Sequence, residues 1–149
     1  IKHDWSKFLP SEWLPYAEFF YGKKDMAAGV QSARRGYYHQ SAIPENLGFD
    51  IAWNLHQKRN DHHWQYWLLN RDNGEVLPLP MPDLCRKEMI ADWRGAGRAQ
   101  GKPKTWERYE SNKDKMQLHP DTRAWVETEL AELKHRHEAD ERMRGIGII

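Results

Sequence analysis

The chain holds one cysteine, Cys85, among 149 residues, so no disulfide can form within it. That suits a reducing compartment, and cytoplasmic localisation is expected. No apolar run approaches the roughly 20 residues that a membrane-spanning helix takes. No signal peptide is visible. Net charge is nearly absent: 23 Lys and Arg against 22 Asp and Glu leave +1. Bulk electrostatics therefore give no argument for nucleic acid or an anionic membrane as a partner. The sequence also lacks a P-loop, a dinucleotide fingerprint, a helical His-Glu-x-x-His pair and zinc-finger spacing. No nucleophile elbow supports a Ser-His-Asp triad, and one thiol excludes a thiolate-built metal site. There is no internal repeat and no low-complexity block.

Apolar residues make up 39% and charged residues 30%, the balance of a globular chain that can bury a core. The length suits one domain. Residues 1–133 are expected to form it, followed by a charged tail over 134–149. Eight tryptophans and eight histidines stand out. Each Trp carries an N–H that needs a partner when buried, so a Trp-rich core or pocket follows.

Ser11 with Glu12 behind it reads as a helix start, and Trp13, Ala17, Phe20 and Tyr21 recur at helical spacing up to Gly22. Residues 23–43 read as loop with helical pieces. A helix is expected over Pro44 to Arg59, with Phe49, Ala52, Trp53 and His56 on one face. Asn60-Asp61 breaks it, and His62 to Trp67 restarts as a short helix or turn. Asp72-Asn73-Gly74 is a turn signal between Leu68-Leu69 and Val76-Leu77, a small hairpin. Pro78, Pro80 and Pro82 force an extended stretch. Asp83 begins a helix to about Trp93, which a Gly-rich segment ends. Further helices are expected over Thr105 to Lys115 and Pro120 to Glu141. The fold class is all-α, with a short hairpin or extended Pro-rich insertion.

The chemistry-bearing residues fall in three places. His3-Asp4-Trp5-Ser6-Lys7-Phe8 puts two metal-ligand types side by side, and His56 with Asn60-Asp61-His62-His63-Trp64 supplies three more imidazoles. Asp92 sits mid-helix, where Asp is a poor helix former, between apolar neighbours. A partly buried Asp needs a cation, which is either a metal or Arg94 or Arg98. Imidazole and carboxylate together suit Mn, Fe, Co, Ni or Zn. Such a metal acidifies a water and polarises a phosphoryl or carbonyl oxygen. For each histidine taken singly, a surface or hydrogen-bonded role is the plainer reading. Lys7 lies three residues after Asp4 and can hold its carboxylate or a substrate phosphate.

His3-Asp4-Trp5-Ser6-Lys7 resembles the His-Asp-x-[Gly/Ser]-Lys motif of the HD-domain superfamily of all-α, metal-dependent phosphohydrolases. The resemblance implies an HD-like helical bundle and metal ligands at His3, Asp4, His62, His63 and Asp92, with His56 among the candidates for an intervening position. It implies that Lys7 and His56 orient phosphate or carry protons. The superfamily's first ligand histidine would lie before Ile1. The longer pattern, with Ala52-Trp53, Asn60-x-His62-His63-Trp64, Met81-Pro82 and Met89-Ile90-Ala91-Asp92-Trp93, is closer still to an uncharacterised family of phage and bacterial proteins.

The expected function is hydrolysis of a small phosphorylated compound, such as a nucleotide, with a divalent transition metal as cofactor. The rival is a non-enzymatic phage or bacterial binding or scaffold protein on the same helical frame. Nuclease activity is the weaker third reading, because the charge is near neutral.

Overall fold

The computed structural model describes residues 4–21 and 47–145. His3, Gly22 and the 23–43 segment lie outside them. Among the described residues the fold is mostly all-α, with five α-helices and one two-stranded sheet: α1 Pro10–Tyr21, α2 Leu47–Arg59, β1 Leu68–Asn70, β2 Val76–Pro78, α3 Asp83–Ala99, α4 Thr105–Glu110 and α5 Pro120–Gly145. Short 3-10 turns cover Trp5–Phe8, Trp64–Trp67 and Lys113–Lys115. The chain divides into two compact units, residues 1–60 and 61–149. No helix among the described residues is long and apolar enough to cross a membrane.

The second unit has the apolar core. Met81, Cys85, Met89, Ile90, Tyr109, Leu118, Val126 and Leu130 are buried together. Trp64, Trp67, Trp93, Trp106 and Trp125 pack around them half-buried, so most of the tryptophans wall this core. The hairpin forms where expected. Leu68 pairs with Pro78, Leu69 with Leu77 and Asn70 with Val76. Gly74 makes the turn at φ +85°, in the left-handed region that glycine tolerates best. Arg123 ties α5 down by donating to the carbonyls of Lys113 and Met116 and to the Tyr109 hydroxyl. The Tyr109 hydroxyl in turn donates to Glu127 at 3.1 Å. Burial first, then that acceptor, raises the Tyr109 pKa.

Two helices differ from expectation. α3 does not stop at Trp93 but runs through Gly95 and Gly97 to Ala99. Its end is a Schellman closure: Gly101 at φ +70° donates to the Arg98 carbonyl, and Lys102 donates to the Gly97 carbonyl at 2.7 Å. The returning chain passes so close that a Cβ on Gly97 would stand 2.6 Å from the Lys102 carbonyl oxygen. Gly97 is thus a packing glycine and not a breaker. The helix expected over Thr105 to Lys115 ends at Glu110 and gives way to the Lys113–Lys115 turn.

In the first unit, the buried face of α1 is also not the expected one. Trp13, Phe20 and Tyr21 are exposed, whereas Glu12 and Pro15 are buried. The inward stripe runs Glu12 and Pro15-Tyr16. Phe19 stacks on Phe49 of α2 at 4.1 Å between centroids, and Tyr16 packs on Phe49 at 5.2 Å. On α2, Ala52 and His56 point inward as their spacing predicts.

Two substitutions separate these effects. Gly95→Ala meets open space and should stabilise by up to about 1 kcal/mol through helix propensity. Gly97→Ala should destabilise by about 1–3 kcal/mol, because the Lys102 carbonyl must move. Urea unfolding of both variants checks the opposite signs. Met89→Ala, at a side chain that is 1% exposed in the centre of the core, should cost about 2–5 kcal/mol in the same assay.

Candidate metal centre

In the first unit, three segments converge on a fully buried carboxylate. Glu12 on α1 is 0% exposed and His56 on α2 is 1% exposed. Glu12 Oε2 accepts from Ser6 Oγ at 2.8 Å and lies 3.0 Å from His56 Nδ1. Glu12 Oε1 accepts from Arg59 Nη1 at 2.7 Å. The buried Asn60 amide donates to Ser6 Oγ at 2.7 Å and to the His56 carbonyl at 2.8 Å. Serine enters because the Trp5–Phe8 turn points Ser6 inward; His56 and Asn60 enter because they lie four residues apart along and just after α2.

The other ring nitrogen, His56 Nε2, stands 3.3 Å from Asp4 Oδ1. Lys7 donates to the second Asp4 oxygen. Asp4 has φ 55°, and among the described residues it is the one non-glycine at positive φ. Asp tolerates this region better than most residues, yet such a backbone stores about 1 kcal/mol or more. Trp53 lies over the His56 ring at 5.5 Å between centroids, and Tyr16 meets its edge at 6.3 Å. The Tyr16 hydroxyl is buried and has no hydrogen-bond partner among the described residues. Burial, followed by the charges of Glu12 and Asp4, raises its pKa well above the usual tyrosine value.

In the second unit, His62 and His63 are both buried, with ring centroids 4.3 Å apart. Asp61, His62 and Glu88 form a His/carboxylate cluster that could hold a metal ion, one ligand atom of each lying within 4.8 Å of the others. His62 Nδ1 is 3.9 Å from Glu88 Oε1. The loop that carries Asp61 is pinned by Trp67, whose indole N–H donates to the Asp61 carbonyl at 2.7 Å. Cys85, one turn before Glu88, is buried, and its thiol is pushed up to about 11 by burial, Asp61 and Glu88. Asp92 lies half-buried on α3, one turn after Glu88, outside that cluster.

Each residue singled out in the sequence can now be placed. Asp4, Lys7 and His56 come together in the first unit. His62 and His63 lie side by side in the second. His3 is outside the described residues. Glu12 and Glu88 were not singled out. Both are acidic residues on helices, where acid is usually solvated; for Glu12 the available signal was Arg59 and Ser6, which the sequence does not show to be near.

Searches of curated proteins and of solved structures find no match. One protein family does match, over residues 1–132, and its description is a family of unknown function. The chain therefore belongs to the family of unknown function DUF5662.

Proposed function

We propose that the protein is a metal-dependent phosphohydrolase of HD type that acts on a small phosphorylated compound such as a nucleotide. The observation that carries this reading is the 3.3 Å approach of His56 Nε2 to Asp4 Oδ1. A carboxylate oxygen only accepts, so either a hydrogen on the ring nitrogen or a metal lies between the two atoms. Neighbouring ligands on a metal with bonds of about 2.0–2.2 Å stand about 3.0–3.5 Å apart, so the pair fits one edge of a coordination shell. Donor chemistry agrees, since neutral imidazole with carboxylate suits Mn, Fe, Co, Ni or Zn.

In this reading Asp4 and His56 are ligands in the first unit, and Asp61, His62 and Glu88 form a separate candidate cluster in the second. A divalent metal would supply Lewis acidity to a phosphoryl oxygen and lower the pKa of a water. Lys7 holds the Asp4 carboxylate in place and offers a cation for a substrate phosphate. Trp53 shields one face of the His56 ring. The buried Glu12 keeps the ring from turning.

A second reading has its own support. The two carboxylates Asp4 and Glu12 are already matched by Lys7 and Arg59, so the network balances its charge without a metal. A binding or scaffold protein would need nothing more.

Metal analysis and a phosphate-release panel separate the two. The hydrolase reading expects a bound transition metal, a chelator-induced loss of about 2–4 kcal/mol of stability by linkage, and phosphate release with Mn²⁺ or Co²⁺ that Asp4→Ala abolishes. A protein free of transition metal, with a melting temperature indifferent to chelator and no release from any phosphate ester, would instead be the binding protein.

A further inference from the structure

We propose that Glu12 is the positioning residue that keeps a proton on His56 Nδ1, so that His56 turns Nε2 to the centre as a ligand and does not act as a proton carrier. The ligand half of this inference rests on the metal reading above; the tautomer does not.

The argument is a count of hydrogens around Nδ1, which has three neighbours: Glu12 Oε2 at 3.0 Å, Asn60 Nδ2 at 3.1 Å and Ser6 Oγ at 3.3 Å. The Asn60 amide has two hydrogens. One goes to the His56 carbonyl at 2.8 Å, which can only accept and so fixes the amide's orientation. The other goes to Ser6 Oγ at 2.7 Å. Asn60 has none left for the ring. Ser6 has a single hydrogen, and its closer acceptor is Glu12 Oε2 at 2.8 Å. If Ser6 gave that hydrogen to Nδ1 instead, Glu12 Oε2 would face two bare lone pairs, in a site where an unsatisfied charge is costly. The count closes in one way: Ser6 and His56 Nδ1–H both donate to Glu12 Oε2, while Arg59 holds Oε1.

A carboxylate on one imidazole nitrogen fixes the tautomer and raises the basicity of the other, as in the outer shell of many metal-bound histidines. Nε2 is thereby left to face Asp4 at 3.3 Å, where a metal or a second ring proton meets the carboxylate. A ring held this way on a buried carboxylate, with Trp53 over its face, is poorly placed to rotate and pass a proton on. This revises the proton-carrying role that the sequence suggests for His56.

Glu12→Gln tests it without changing volume. Arg59 only donates, so it should keep the amide oxygen, which turns the amide NH₂ toward Ser6 and Nδ1. Nδ1 must then accept, and the ring proton moves to Nε2. Long-range ¹H–¹⁵N spectra of the histidines in metal-free full chain, at neutral pH, should show a proton on His56 Nδ1 in the parent, whether or not Nε2 is also protonated against Asp4, and a proton on Nε2 alone in Glu12→Gln. Adding Arg59→Met frees the amide to turn its oxygen back, and the double variant should return to Nδ1–H. Mn²⁺ or Co²⁺ affinity should fall by about 10–100-fold in Glu12→Gln and recover in part in the double variant.

A parent His56 whose proton sits on Nε2 alone overturns the proposal, and that measurement stands even where the variant fails to fold. So does a Glu12→Gln ring that keeps Nδ1–H. A parent ring that is Nδ1–H in a chain binding no metal supports the positioning by Glu12 and removes the metal reading instead.

Discussion

The first unit is organised around one carboxylate that has no access to water. Leaving Glu12 buried and ionised without partners would cost several kcal/mol, more than a small folded unit can absorb against a typical net stability of about 5–15 kcal/mol. It is held by Ser6 from the Trp5–Phe8 turn and by His56 and Arg59 from α2. The cost of the charge thus becomes a constraint. The turn and α2 must each bring donors to the carboxylate on α1, and each donor has one geometry that works. Apolar contacts between α1 and α2, such as Phe19 on Phe49, tolerate some sliding. The Glu12 contacts at 2.7–3.0 Å do not.

The two units therefore reach stability by different means. In the second unit Met89, Ile90, Val126 and Leu130 form an ordinary apolar core, and the Tyr109–Glu127 and Arg123 contacts lie at its edge. In the first, the buried residues among those described are Ser6, Glu12, Pro15, Ala52, His56 and Asn60, mostly polar. A polar interior gains little from hydrophobic transfer, so its worth lies in the single arrangement it specifies. An arrangement specified at that precision is what a metal ligand or a catalytic group needs. It is also why the first unit, and not the larger core, drew the functional reading.

Legibility in the sequence follows the same division. The hairpin at Asp72-Asn73-Gly74, the extended prolines and the α2 face through Ala52 and His56 all rest on local rules of turn chemistry and spacing, and they hold. The α3 boundary does not, because Gly97 answers to a tertiary contact with the Lys102 carbonyl that no local rule contains. The α1 face fails for a related reason. Trp13 and Phe20 are the apolar residues, and a sequence reading turns them inward, yet Glu12 occupies the inside because Arg59 and Ser6 meet it there. A buried acid is legible only once its partners are known, and those lie up to 47 residues away. The histidine doublet and Asp4 were legible as ligand types, whereas the residue that orients His56 was not.

The opening word of the chain changes meaning in this light. In sequence, His3-Asp4-Trp5-Ser6-Lys7 offers two ligand types and a lysine placed to hold the aspartate. In the folded unit Asp4 faces His56 Nε2, Lys7 holds the far oxygen of Asp4, and Ser6 joins Glu12 to Asn60. Different positions of the word thus do separate work: Asp4 faces His56, Ser6 closes the network at Glu12, and Lys7 balances the charge of Asp4. The left-handed backbone at Asp4 and the 3-10 turn that follows it are what allow Asp4, Ser6 and Lys7 to serve three different neighbours within four residues. A regular helix would place Ser6 about 200° around from Asp4, on nearly the opposite face. The spacing that made the word recognisable is therefore a spacing for a tight turn, and the serine in it answers to Glu12 as much as the aspartate answers to His56 and Lys7.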